Sequence, residues 1–537
     1  GYGDGDEATV VSYGPNASAK YITTYFRHTF TIADIDLYSG FLLKIKKDDG
    51  AVVYANGTEI VRTNMNQGTV SYTTASYTSI GGSEENLRME QVFPKNTFAT
   101  GSNTIAVEVH QDNGTSSDIS FELELTGLDA APSVHRGPYI HIVTPTSAVI
   151  KWRTDVPTDS RVRYGTEAGV LTQTADDGAL SVEHEVAVTG LLPSTTYYYS
   201  IGTTTTELAG ATVNHFFRTH PPQSSMAPFR AWVIGDAGTT AADQLRVRDA
   251  YSAYAAANGK ADLWLMLGDN AYWQGREMDY QEGIFKIYGD QLRNTELWPA
   301  VGNHDYYSGA NAASNTGPYF NTFALPKLAQ AGGVPSNTEA YYSFDYGKVH
   351  FICIDSDGSP RAVGSAMYNW LVNDLAYAQA NSEWIIAYFH HPPYTKGTHN
   401  SDTEAQLIEM RTNFVPLLEQ NGVDLVLSGH SHCYERSFLI DNHLGLSSTF
   451  NPATMKLDGG NGNATPYVKP GDLLPHKGTV YTVCGVSGKK GTGSLNHPAM
   501  FMSTGAHWGS LIIDVDGLTL TTRFLNDVGT VIDQFTI

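Results

Sequence analysis

Five short turns of this 537-residue chain concentrate side chains that could bind a metal ion or move a proton. In chain order they are Gly235-Asp236-Ala237-Gly238, Gly268-Asp269-Asn270-Ala271-Tyr272, Gly302-Asn303-His304-Asp305, His390-His391 and Gly429-His430-Ser431-His432. Taken singly, each has an ordinary structural use: Asp236 and Asp269 as helix N-caps, Asn303 as a turn former, His430 with His432 as a surface pair. Two of their aspartates, one asparagine, one tyrosine and three or four histidines supply enough oxygen and nitrogen donors for two metal ions. Cysteine is absent near most of these turns, which argues against a thiolate zinc site. Two metals roughly 3.5–4 Å apart would activate a bridging hydroxide and clamp a phosphoryl group for in-line displacement.

Each turn follows an apolar run that reads as a buried strand. The runs are Ala231–Ile234, Leu263–Leu267, Leu297–Val301, Trp384–Phe389 and Val423–Leu427. Helical periodicity occupies Ala242–Ala257, Gln281–Arg293, Ala366–Ala380 and Thr403–Gln420, so the region from Phe229 predicts βαβ units around a largely buried sheet. Ligands of open α/β sheets gather beyond the carboxyl ends of the strands, where five such turns can converge. After about residue 445 strands return at Thr479–Val483, Ser510–Val515 and Thr519–Phe524, beyond a Gly/Asn/Pro-rich stretch at 451–478.

The first two-fifths of the chain read as β structure. Alternation at Leu43–Lys46 and Thr104–His110, with Asp48-Asp49-Gly50 and Asn56-Gly57 as hairpin turns on either side of Ala51–Tyr54, predicts one β domain. Ala130-Ala131-Pro132-Ser133 reads as a linker. A second β domain with Trp152 in its core follows to His220, closed by a linker at Pro221-Pro222 and Ser224-Ser225. Plentiful glycine (52) and tyrosine (31) fit a β- and loop-rich protein.

The formal charge is −22, with 33 Lys+Arg against 55 Asp+Glu. Nucleic acid and anionic membrane are therefore poor partners, since both require basic surface. An anionic substrate would be repelled at long range, so its site needs strong local positive charge, and bound metal is the simplest source. No apolar run approaches the ~20 residues of a membrane span. The chain starts at Gly1 without Met and without a basic-plus-apolar leader, so a signal peptide is expected to have been removed or left off. Three cysteines, Cys353, Cys433 and Cys484, allow one pair at most.

Residues 228–537 resemble the calcineurin-like metallophosphoesterases, and specifically the purple acid phosphatases. The decisive detail pairs Asp236-Ala237-Gly238 with Tyr272: most of the wider superfamily carries Asp-x-His in the first turn, whereas Gly238 stands in the histidine place here and Tyr272 can supply the missing ligand. Tyrosinate on Fe(III) is what colours that family. Arg136-Gly137-Pro138-Tyr139 and Asp159–Thr166 resemble the family's N-terminal domain, and Gly190–Tyr197 resembles the tyrosine corner of fibronectin type III domains. The earlier segment resembles the jelly-roll, galactose-binding-like sandwiches of secreted bacterial enzymes, through Phe26-Arg27, the Asp-Asp-Gly to Asn-Gly hairpin, and His110-Gln111 with Ser116-Ser117-Asp118. The implied fold is multidomain. Two all-β sandwiches, a jelly roll at 1–129 and a fibronectin type III-like domain at 134–221, precede an α/β metallophosphoesterase four-layer sandwich at 228–537.

By the same resemblance, Asp236, Tyr272 and His432 would hold Fe(III), and Asn303, His390 and His430 a divalent Fe, Zn or Mn, with Asp269 bridging. His390 is preferred to His391 because the family's ligand histidine stands just ahead of x-Pro-x-Tyr. His304 would contact the phosphate or protonate the leaving alkoxide, oriented by Asp305, and His399 stands where plant relatives carry a substrate-binding histidine. The next position, often a second histidine there, is Asn400. His497 is read equally as a cleft residue and as a structural one. The implied fold brings Cys433 near Cys484, which yields the hypothesis of a disulfide between them and a free, buried Cys353. The implied activity is acid hydrolysis of phosphate monoesters by a metal-held hydroxide in a secreted, periplasmic or cell-surface enzyme. The alternatives are phosphodiesterase or phytase-like action at the same centre, or a carbohydrate- or surface-binding protein with secondary phosphatase activity.

Overall fold

The computed structural model describes residues 9–81, 88–129 and 132–537, so Ala130 and Ala131 of the expected linker lie outside the described residues. The chain divides into two compact units: Gly1–His135 with Arg153–Thr158 and Leu180–Glu183, and the remainder, Arg136–Trp152, Asp159–Ala179 and His184–Ile537.

The first unit has two antiparallel sheets. One orders Thr23–Ile32, Gly101–His110, Gly50–Ala55 and Thr58–Thr63; the other orders Met89–Pro94, Tyr38–Lys47 and Phe121–Asp129. Side chains alternate along Tyr38–Lys47, where Leu43 and Ile45 are buried between half-buried neighbours, whereas Ala51, Val52 and Val53 are buried in succession. Asn56 (φ 48°) and Gly57 (φ 87°) close the tight hairpin between Gly50–Ala55 and Thr58–Thr63, the double positive φ that such turns require. Asp48-Asp49 does not form the second hairpin expected of it. The strands on either side belong to different sheets, and the buried Asp49 carboxylate accepts hydrogen bonds from the backbone of Ile80 and Asp112, so this is a corner between layers.

The second unit begins with a sheet-rich segment. Its long strands Gln173–Thr189 and Ser147–Gly165 pair with each other, and Ser147–Gly165 pairs in turn with Thr196–Gly202, which also pairs with Glu207–Gly210 and Phe216–Arg218. Trp152 is fully buried and stacks on His184 at 4.7 Å between centroids. The Tyr197 hydroxyl accepts a hydrogen bond from the Leu192 amide (3.0 Å), the tie that defines a tyrosine corner. Tyr139 and Tyr199 donate to the carbonyls of Thr322 and Arg293 (2.9 and 2.8 Å), Arg136 donates to Gln281 (2.9 Å), and His220 bonds Glu296. These buried polar ties fix the segment to the α/β part of the same unit.

That α/β part has two sheets in one core. The six-stranded sheet orders Glu296–Ala300, Leu263–Leu267, Phe229–Ile234, Gly509–Asp516, Thr519–Asn526 and Val531–Thr536; the first three run parallel. The seven-stranded sheet orders Tyr342–Tyr346, Val349–Cys353, Trp384–Tyr388, Leu425–Ser428, Val480–Cys484, Tyr434–Ser437 and Met500–Thr504. Central parallel strands are covered on both faces, which is why Leu263–Leu267, Trp384–Tyr388 and Leu425–Ser428 are apolar runs with every residue buried. Trp298 stacks on Phe344 (3.9 Å) between the sheets, while Tyr251 of the helix Ala242–Asn258 stacks on Trp232 (3.9 Å). The helix Ala366–Asn381, capped by the Ser365 hydroxyl, buries Trp370 and Leu371. Among the described residues no helix is long and apolar enough to cross a membrane.

All three cysteines are buried free thiols, so the Cys433–Cys484 disulfide does not form. Cys484 lies opposite Tyr434 in the antiparallel register, which places the preceding Cys433 on the other face of its strand. Its sulfur faces Ser431 and Glu435 instead.

Candidate metal centre

The five turns do converge. Asp236 (φ 56°), Asp269 (φ 51°) and His430 (φ 64°) all stand in the left-handed region, a cost tolerated where neighbouring structure over-determines a site. Asp236 and Asp269 are buried, and the Tyr272 hydroxyl lies between them, 2.8 Å from Asp269 Oδ2 and 3.1 Å from Asp236 Oδ1. His432 Nε2 approaches the same hydroxyl at 3.4 Å and Asp236 Oδ1 at 3.5 Å. On the other side of Asp269, His390 Nε2 is 3.3 Å from Oδ1, 3.1 Å from Asn303 Oδ1 and 3.2 Å from His430 Nδ1. His390 Nδ1 is bonded to the Leu267 carbonyl (2.8 Å), which it can reach only as a donor, so Nε2 is the atom turned into the cluster. The backbone amides of His430 and His304 donate to Asp236 Oδ2 (2.8 Å) and Asp269 Oδ1 (2.9 Å).

The electrostatics are those of a cation site. Burial opposes charge on Asp269, but His390 and His304 hold its pKa well below the ordinary value. Burial likewise opposes a charged His390, and Asp269 overcomes it, raising the imidazole to about 10. Burial, then the two aspartates, push the Tyr272 phenol far up. The ion pairs of Asp236 and Asp269 among the described residues are all to histidine, with no lysine or arginine. Two buried carboxylates, a phenol, an amide oxygen and three imidazoles therefore face one another without a permanent cation among them, and this donor set fits a pair of metal ions. Asp236, Asp269 and His390 offer atoms within 4.8 Å of one another, as do His399, Glu404 and His430.

Around this cluster, His304 sits with its ring 4.4 Å from that of Tyr272, and its Nδ1 bonds the Trp273 carbonyl (2.6 Å). Asp305 does not orient it. The Asp305 carboxylate is buried on the far side, accepting from Tyr280, the Asn270 amide and side chain, and the Gly302 amide (2.6, 3.2, 2.9 and 2.8 Å). Burial and the nearby Asp269 push it up to about 7, and its work is to brace the turns. His399 stacks on His430 at 3.7 Å and its Nδ1 meets Glu404 Oε2 at 2.7 Å. His391 bonds Ser356 (3.0 Å) and packs behind His430 without entering the cluster. His497 is buried against Tyr394 and His443.

Two residues escaped sequence reasoning. Glu404 accepts from the Asn400 amide and His399, and stands 3.6 Å from His430 Nε2, a carboxylate backing two site histidines. Lys489 lies over the rings of Trp273 and Tyr272. A glutamate just ahead of a helix and a lysine in a glycine-rich loop carry no pattern of their own.

Parallel strands that deliver such donors to one cluster make a two-metal hydrolase site. The calcineurin-like phosphoesterase family model matches residues 229–434, and that of the purple acid phosphatase N-terminal domain matches 137–219. Probable purple acid phosphatase 20 of Arabidopsis thaliana is 27% identical over 353 residues, 62% of this chain and 76% of that one. Purple acid phosphatase 15 of the same plant is 30% identical over 298 residues, 50% of this chain and 52% of its own. A purple acid phosphatase from yellow lupin (Lupinus luteus) seeds shares the fold, with a TM-score of 0.58 at 16% identity over 96% of this chain and 93% of that one. The chain is thus similar to the purple acid phosphatases in both matched regions, which supports a binuclear metallophosphatase that hydrolyses phosphoric monoesters.

Proposed function

We propose that Asp236, Tyr272 and His432 would hold Fe(III) and that Asn303, His390 and His430 would hold a divalent Fe, Zn or Mn ion, with Asp269 available to both. The position of the Tyr272 hydroxyl between Asp236 and Asp269 carries this reading, because a hard, highly charged ion is what two carboxylates and a phenolate accommodate best. Bound there, the two ions supply Lewis acidity at the phosphoryl group and lower the pKa of water.

The chain's own residues handle orientation and protons. His304 Nδ1 is engaged by the Trp273 carbonyl, so its Nε2, 3.9 Å from Asp269 Oδ2, is the atom turned toward the centre to meet an ester oxygen. In its protonated form it gives that proton to the departing alkoxide, and displacement in line inverts phosphorus. His399, held by Glu404 and packed on His430, binds a phosphate oxygen. Glu404 keeps His399 and His430 in register, as carboxylates behind ligand histidines do.

We read the modules as 1–129, a jelly-roll sandwich with a packing role; 134–221, a fibronectin type III-like domain that braces the catalytic part; and 228–537, a four-layer α/β sandwich, in an exported enzyme. The test is metal analysis with a visible spectrum and phosphate release from an alkyl phosphate. The expected protein is coloured, contains about one iron per chain, and is active; an active, iron-free, colourless protein would refute the ferric assignment.

A further inference from the structure

The loop at 485–493 closes one side of the centre. A side chain at Gly488 would overlap the backbone of Ala237 and Asp236, and the Gly491 amide donates to the His432 carbonyl (2.8 Å), so the loop is pinned to two metal-site turns at once. Between those pins stands Lys489, half-buried, with its ammonium 3.3 Å from the centroid of Trp273 and 4.9 Å from that of Tyr272. Its neighbour Lys490 turns away to cover Trp508 at 3.5 Å and to donate to the Ala506 carbonyl. The two aromatic rings under Lys489 are the same two that flank His304, at 4.4 Å for Tyr272 and 6.0 Å for Trp273. His304 and Lys489 therefore share one aromatic wall.

We infer that Lys489 is a specificity residue, selecting phosphate monoesters whose alcohol carries a second anionic group, such as a carboxylate. The inference rests on the phosphatase reading and on His304 marking the leaving-group side. An ammonium held on a tryptophan face is partly desolvated, and so attracts an anion more strongly than a surface lysine does. In a chain of net charge −22, a fixed cation beside the leaving group also offsets repulsion of a doubly anionic substrate.

The experiment compares 3-phosphoglycerate with glycerol 3-phosphate, which differ only in a carboxylate against a hydroxymethyl, using the full metal-loaded chain. The wild type is expected to favour 3-phosphoglycerate in kcat/KM by about fivefold, the worth of one partly screened ion pair. The preference should fall to near one in Lys489→Met and return in Lys489→Arg. A calorimetric titration with D-glycerate, glycerol serving as control, gives a readout independent of turnover, with glycerate binding weakened about fivefold in Lys489→Met. An unchanged substrate ratio or unchanged glycerate binding in Lys489→Met overturns the inference. Should the wild type hydrolyse neither ester, the phosphatase reading falls, and the glycerate titration decides the role of Lys489 alone.

Discussion

Tyr272→Phe separates the two jobs of one hydroxyl. In the metal-free protein the phenol has a single proton to share between Asp269 and Asp236, both buried and both accepting. Deleting the oxygen removes one hydrogen bond to a charged group, about 1.5–3 kcal/mol, and leaves the carboxylates closer to bare. The metal-free variant should therefore unfold at lower urea than the wild type by roughly that free energy. The metal-loaded proteins should differ in another way. Burial and the flanking carboxylates hold the phenol protonated far above neutrality, so binding iron through Tyr272 must expel that proton. Under pH-stat, iron uptake at neutral pH should release about one more proton from wild type than from Tyr272→Phe. The variant should also be colourless at equal iron content. Equal proton release and retained colour would refute the ligand role, even if the stability loss appeared, because the hydrogen bond alone explains the latter.

Three further outcomes can be checked independently. His304→Asn should slow hydrolysis of alkyl phosphates by about a hundredfold or more, yet slow p-nitrophenyl phosphate far less, since that leaving group needs no proton; equal losses on both would remove His304 from leaving-group protonation. His350 is fully buried between Asp345 (2.6 Å) and Asp374 (2.9 Å), and although burial opposes its charge, these carboxylates raise it to about 9. A raised histidine stabilises the fold below its unfolded pKa, near 6.5, and that contribution, about 3 kcal/mol, fades as pH climbs through 9. Urea midpoints should accordingly fall from pH 6.5 to 9.5 in wild type but stay nearly level in His350→Gln. Denatured, unreduced protein should titrate three thiols with Ellman-type reagent, and one thiol would restore the disulfide.

The five strand ends were legible because a strand covered on both faces must be apolar throughout, so a carboxylate or imidazole directly after it is conspicuous. The long helices were legible by period, to within about two residues at most ends, as Ala242–Asn258 and Ala366–Asn381 show. What misled was direction. Asp48-Asp49-Gly50 has turn chemistry, but composition does not say whether the chain returns to the same sheet or crosses to another. Asp305 follows His304 directly on a one-turn helix, and adjacent helical residues point apart, so proximity in sequence guaranteed separation of the side chains. The cysteines failed for the corresponding reason in a sheet, where a one-residue offset exchanges faces. Glu404 and Lys489 act through tertiary placement alone.

The glycine ahead of several ligand turns has a physical reason that joins sequence to site. A side chain at Gly302 would overlap the amide and carboxylate of Asp269, and one at Gly429 would stand 2.6 Å from Asp236 Oδ2. Neither glycine is there for its own backbone: each clears room for a ligand belonging to a different turn. Donors that must meet within one metal's reach come from strands about 4.8 Å apart, and ordinary side chains between the turns would hold them off. The Gly-Asn-His and Gly-His patterns are thus traces of convergence, readable before any fold is known. They also explain why the site can be so acidic and still be built: the backbone closes around the carboxylates, and the charge they need is left for bound cations to supply.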